Sequence, residues 1–442
     1  MLDQQAIDMS GQAWGSQVRA ETFRIRGVNS ASLFSRASLS RSGGVALLAT
    51  AWAAVYAAPA DAQTSGGGGR QIDVSVSNRL QYDSDVVLSD SRISGGRGKD
   101  DVSTSPTLDL DIYLPRATGS LYLRGNLGYV FYRKFTKLNR ERINLEGGFD
   151  QRVLGDCIVH GSANYSRQLS DLGDVFTTVP VTGEFRNSQE NREISADVGC
   201  GGGIGFRPSV AVSRSEVRNS AALRKFSDAD TNSLTGQIGY SAPALGIVSV
   251  FGRYSDSKYI NRSTPSGNDD GVRTYAAGVQ LERNLGTRLN FTGSVNYSKV
   301  KPYLASVKEF SGVGFDLSAQ YRGDFFQVGL TGSRAAEPST LLFVSYDIQT
   351  SLGLTMTTEL TPRLRWNGGF SYRRRAFASS PIFIAAPIRG TESLYSLNAG
   401  LSYQAGRRLR FSLDGGYTKR TSDTQLFNYD QKRISLTTSL SL

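Results

Sequence analysis

His160 is the only histidine among 442 residues, so any His-based catalytic dyad or triad would have to use it. Period-two alternation puts it on one strand face with Ser162 and Asn164, where its expected role is that of a polar filler. One histidine and two cysteines cannot build a His/Cys metal cluster. The segment "GCGGGIGF" from residue 199 has the look of a phosphate-cradling loop. It joins two strand-like runs instead of opening a helix, so it reads as a turn. "RGD" at 322–324 also occupies a short turn, which argues against an adhesion motif. No enzyme and no cofactor is expected.

The charged residues are more informative. Asp109, Asp111, Glu146, Asp150 and Asp197 share one strand face in the first half of the chain. Arg363, Arg365, Arg373, Arg375, Arg408, Arg410, Arg420 and Arg433 share the equivalent face near the end. Opposed acidic and basic walls would set a transverse field across a channel and orient polar solutes. The other reading is solvation of a wet lumen with mutual ion pairing. Two long connections are candidate plugs: 168–189, with Asp171, Asp174 and Glu184, and the unusually apolar 376–391.

The elements that would position these residues are strands. The 48 Gly, 41 Tyr plus Phe and only 12 Pro are a strand-and-turn composition. No run of 18 uncharged apolar residues occurs, which argues against transmembrane helices. In "NGGFSYRRRAF", Trp366, Gly368, Phe370 and Tyr372 alternate with Arg365, Asn367, Gly369, Ser371 and Arg373. The same alternation sets Leu121, Leu123, Leu127, Tyr129 and Phe131 against Arg124 and Asn126, and Leu352, Leu354 and Met356 against Ser351, Thr355 and Thr357. A membrane barrel presents the apolar set to lipid and the polar set to a wet lumen.

Connection lengths alternate too. Short turns ("PRATG" at 115, "GGG" at 201, "APALG" at 242, "NLGT" at 284, "QAGR" at 404) alternate with longer polar loops. The pattern predicts an all-β, antiparallel up-and-down transmembrane barrel of about 18 strands over 71–442, with 16 or 20 as alternatives. Short turns and both termini would then be periplasmic. Tyr-then-base endings ("NYSR" at 164, "NYSK" at 296, "SYRR" at 371, "GYTK" at 416) and the aromatics beside the turns, such as Phe206 and Tyr321, predict two interfacial girdles.

Residues 1–62 read as an N-terminal extension plus signal peptide, with Arg36 and Arg41 ahead of "GGVALLATAWAAVYAAP" and cleavage between Ala62 and Gln63. Residues 63–70 form a Gly-rich linker. Removing 1–62 leaves 45 basic against 35 acidic residues, a net charge of +10. That excess suggests anionic partners such as lipopolysaccharide phosphates or acidic solutes, and no nucleic acid for an exported chain without a basic helix.

With "ELTPRLRWNGGFSY", "QAGRRLRFSLDGGYTK" and the closing "RISLTTSLSL", the chain resembles the bacterial outer-membrane β-barrel proteins. It looks like the β-barrel porins often encoded beside exopolysaccharide synthesis and export genes. The resemblance covers about residues 70–442; the chain ends in Leu442 where such barrels usually end in an aromatic. It implies a Gram-negative outer-membrane location, lipid and lipopolysaccharide around the wall, and the barrel-assembly machinery during biogenesis. It also implies passage of hydrophilic solutes, including acidic saccharides. The alternatives are a channel working with polysaccharide-export proteins, and a structural or adhesive barrel with a filled lumen. Cys157 and Cys200 fall at the turn ends of the fifth and sixth strands, on one face and directly opposed. That places them within disulfide reach, with two free thiols as the other reading.

Overall fold

The structure, a computed structural model, describes residues 69–88, 98–153, 155–170, 187–263, 267–339, 341, 344–379 and 390–442. The expected leader, the Ala62–Gln63 junction, Asp171, Asp174, Glu184 and residues 380–389 lie outside the described residues.

Eighteen strands follow one another around a ring. They are β1 (Gln71–Asp83), β2 (Asp101–Arg116), β3 (Gly119–Tyr132), β4 (Arg140–Arg152), β5 (Cys157–Leu169) and β6 (Ser188–Cys200). Then come β7 (Gly205–Asn219), β8 (Ala229–Ala242), β9 (Gly246–Ser263), β10 (Asp269–Leu285), β11 (Leu289–Pro302) and β12 (Phe310–Arg322). The last are β13 (Phe326–Pro338), β14 (Val344–Thr361), β15 (Leu364–Ser379), β16 (Thr391–Gln404), β17 (Leu409–Ser422) and β18 (Tyr429–Ser441). Each pairs antiparallel with the next, and β18 returns to β1 from Ser75↔Ser441 to Asp83↔Arg433. Closure removes both sheet edges. The count, the alternation of short and long connections, and the shared turn end of both termini match the sequence reading.

Turn chemistry sets the short connections. Gly246, the first residue of β9, has φ +85°, and a Cβ there would lie 2.2 Å from the Glu282 carbonyl oxygen. Only glycine permits that turn. Two of the longer connections, read from sequence as loops at 260–270 and 335–343, are entered by strand. β9 and β10 extend to Ser263 and from Asp269, and β13 and β14 extend to Pro338 and from Val344. Polar residues above the girdle still satisfy their backbone in the ladder, so a drop in hydrophobicity does not mark the strand's end.

The wall is apolar outside and polar inside. Ile194 and Ile238 are 66% and 63% exposed, an exposure that repeats around the ring and calls for lipid as the surrounding medium. Girdle pairs meet at both ends: Phe206–Tyr240 and Tyr321–Phe326 near the turns, Tyr254–Tyr275 and Tyr372–Tyr395 near the loops. Inside, cross-strand hydroxyls bond directly: Ser162–Ser195, Thr231–Ser257 and Ser333–Ser351. At the turn end of the outer face Cys157 stands opposite Cys200, with Cα atoms 4.0 Å apart and the sulfurs bonded.

Two predictions follow from these faces. Leu354→Arg puts a cation on the lipid face at mid-strand and should cost about 2–4 kcal/mol. Thr355→Arg, pointing inward, should fold as the parent does; equal folding of both in vesicles, read by denaturant titration, would reverse the assigned faces. Denatured, unreduced protein should leave both cysteines unlabelled by an alkylating agent in mass spectrometry. Two labelled cysteines would mean that β5 and β6 pair in another register.

Candidate channel lumen and mouth

The lumen wall is built by the inward residue of every strand pair, and its charges are locally matched. Arg124 Nε lies 3.3 Å from Asp111, and Arg365 lies 2.7 Å from Glu359. Asp109 accepts a bond from the Ser77 hydroxyl at 3.2 Å. Glu146 pairs in register with Arg124. His160 Nδ1 is 2.7 Å from Asp150, whose other oxygen accepts a hydrogen bond from the Ser120 hydroxyl at 3.0 Å. In register His160 also faces Asp197. Ser162 turns to Ser195 across the strand, so His160 is engaged by carboxylates and not by a nucleophile. Such an arrangement orients the imidazole as part of a polar wall.

The basic sector divides by height. Arg363, Arg365, Arg408 and Arg410 lie at or near the turn end; Arg410 donates to Gln404 Oε1 at 3.0 Å, close enough to Arg365 for their charges to interact. Arg373, Arg375, Arg420 and Arg433 lie toward the loops. There Glu392 is held from both sides, by Arg375 on one carboxylate oxygen and by Arg420 on the other. Arg420 is 2% exposed, so it is a buried partner and not an open lumen cation. The expectation of opposed walls is corrected by the ring. From β4, at the centre of the acidic strands, to β16, within the basic ones, is six of eighteen steps through β1. The two sectors are neighbours a third of the circumference apart.

Among the described residues the β13–β14 hairpin covers part of the mouth, whereas most of both expected plugs lies outside the described residues. β12 pairs with β13 only as far as Phe315↔Arg334, whereas β13 and β14 stay paired to Pro338↔Tyr346. Above that split the β13–β14 hairpin leaves β12 and folds across the inner side of the mouth. Ala336 and Tyr346 occupy positions that lower on these strands face lipid. Here they pack on Val272 and Val300, which face inward from β10 and β11, and on Leu304 and Val307.

The hairpin tip is fastened to β9, four strands away. The Tyr259 hydroxyl lies 2.8 and 2.6 Å from the carbonyl oxygens of Ser339 and Ser345. The Arg262 guanidinium donates to the carbonyls of Val344 and Leu341 at 2.7 and 2.9 Å, and to that of Phe226. It stacks 3.9 Å over the Tyr259 ring and approaches Asp270 at 3.7 Å. Both Arg262 and Asp270 are fully buried. A contact spanning three intervening strands of a curved wall must run along the chord, through the mouth. On the loop between β1 and β2, burial pushes the Asp85 carboxyl above its ordinary range although Lys99 lies 3.4 Å away.

Residues 322–441 match a family described as "Putative beta-barrel porin 2". No curated protein matches the chain. Among solved structures it is similar to OccK2 of Pseudomonas aeruginosa, crystallised with glucuronate, at 11% identity and TM-score 0.44, covering 84% of this chain and 98% of that one. A BenF-like porin from Pseudomonas fluorescens gives 11% identity and TM-score 0.43, covering 84% and 99%. The siderophore receptor PirA of Pseudomonas aeruginosa gives 13% and 0.39, covering 85% and 81%. The chain is a closed 18-stranded antiparallel β-barrel, and its last six strands lie within the segment that matches that family description.

Proposed function

We propose that the barrel is an outer-membrane channel for hydrophilic solutes, with the β13–β14 hairpin as its constriction and a preference for anions. The observation that carries this reading is a closed ring of 18 strands lined by hydroxyls and charges, wide enough for an aqueous passage. Long loops then face outside, short turns and both termini the periplasm. The anion preference rests on the turn-end arginines. Arg363, Arg365, Arg408 and Arg410 gather on β15, β17 and the turns before them, with Glu359 as the carboxylate bonded to one of them. Low-dielectric walls focus such a field on the passage. Acidic saccharides fit that chemistry as solutes.

Planar-bilayer recording tests both parts. Wild-type protein should give discrete conductance steps with a reversal potential on the anion side. Arg365→Glu with Arg410→Glu should move it toward cations; an unchanged potential would leave these residues as lumen solvation. Arg262→Ala removes the clamp on the hairpin tip and the guanidinium 3.7 Å from buried Asp270, and breaking a buried ion pair costs about 3–5 kcal/mol. The ladder below is untouched, so the barrel should still fold, with larger or noisier steps. A silent wild type and a silent Arg262→Ala protein together would sink the channel reading and leave a filled barrel.

A further inference from the structure

The lipid-facing wall carries a depression under the loop-side girdle. Gly236, Gly252, Ala277 and Tyr297 form one horizontal row across β8, β9, β10 and β11. A Cβ added at Gly236 or Gly252 would meet nothing within 4 Å. Ile238, Val250, Val279 and Val295 make the row below, and Leu234, Tyr254, Tyr275 and Lys299 the row above. Large side chains therefore border a floor that has almost none, and the result is a groove of about 470 Å³. In a bilayer an apolar hollow at this position takes an acyl chain.

Its upper rim is basic and adds charge selection. Arg273 and Lys301 pair in the row above Tyr275 and Lys299. Lys301 Nζ sits 5.8 Å from the centre of the Tyr275 ring, and Arg273 lies 4.8 Å over Tyr303. Two acids stand among these three cations. Asp256 is 3.5 Å from Arg273, and Glu309 is 3.2 Å from Lys299. The Lys299–Glu309 pair is about half exposed on both sides, so its mutual attraction is weak and an incoming phosphate can displace it.

We infer that this groove seats one phosphorylated, acylated glycolipid of the outer leaflet, of the lipid A type. One acyl chain lies over Gly236, Gly252 and Ala277 between the tyrosines, and one phosphate is held among Arg273, Lys299 and Lys301. Tyrosine rings at the interface suit the sugar above the chain. The inference takes its leaflet from the orientation in the channel reading. Lipid binding is measured without conductance, so either can fail alone.

The test is native mass spectrometry of the detergent-purified full chain, stripped of lipid and titrated with diphosphoryl lipid A, its dephosphorylated form, and phosphatidylethanolamine. Folding is checked first by the mobility difference between heated and unheated samples. Wild-type protein should retain one diphosphoryl lipid A at least tenfold more strongly than either other lipid. Gly252→Phe fills the floor and should abolish that preference, as should Lys299→Gln with Lys301→Gln. Ala277→Leu serves where Gly252→Phe does not fold, and Leu413→Phe, on the lipid face six strands beyond the groove's nearest edge, should leave retention unchanged. Equal retention of all three lipids, or undiminished retention in the groove variants, overturns the seat. Selective retention of phosphatidylethanolamine overturns the outer-leaflet assignment and with it the proposed orientation.

Discussion

Closure of β18 onto β1 is the constraint on which the rest of the molecule depends. In hydrocarbon each unpaired backbone N–H or C=O costs several kcal/mol, so a strand can cross only if both its neighbours bond it. The ladder from Ser75↔Ser441 to Asp83↔Arg433 meets that requirement for the two strands that would otherwise be edges. The Leu442 amide extends it by donating to the Val74 carbonyl. With the backbone satisfied, side chains are free to differ on the two faces. A one-residue slip in any pair would send lumen hydroxyls into lipid, and that penalty fixes the register all the way round.

Near the loop end, among the described residues, one pair of neighbouring strands separates. β12 and β13 part at Phe315↔Arg334, where water is available to the freed groups. The hairpin beyond is held instead by burial of Ala336 and Tyr346 and by the carbonyl bonds from Tyr259 and Arg262. Arginine suits that position because its fixed fork reaches several carbonyls at once, which an ammonium on a flexible stem does less well.

Much of this architecture is legible in the chain. Strand number, facing and both girdles follow from a strict period of two broken by turn residues, because a wall with lipid on one side and water on the other allows no other pattern. The hairpin tuck is less legible, since Ala336, Tyr346 and Ile348 simply prolong the lipid-face series. A signal exists in comparison with other strands. At the corresponding height those carry Arg273, Lys299, Lys419 or Lys432 on the outer face. Apolar residues persisting above the charged row must be covered by something, and here the inner wall covers them. The charged sectors show another limit: position along a chain lists charges by strand, whereas field direction depends on angle around the ring. Pairing such as Arg375–Glu392–Arg420 is set by register and side-chain reach, which alternation alone does not give.

The tuck also divides the mouth into chemically unlike parts. The hairpin's outer-parity face is spent on Val272 and Val300, so that side of the opening is filled by apolar packing. Its other parity carries Glu337 and Asp347, paired with each other in register and next to the β15–β17 wall that bears Arg375, Glu392 and Arg420. In the proposed channel, water and solute pass along the charged side. Below it the wall changes from clamped ion pairs to hydroxyl pairs, then to the turn-end arginines. On the channel reading, a solute moving inward meets the polar mouth first and the turn-end arginines of β15 and β17 last. On the same reading the hairpin sets size and rate, and the turn-end arginines set sign.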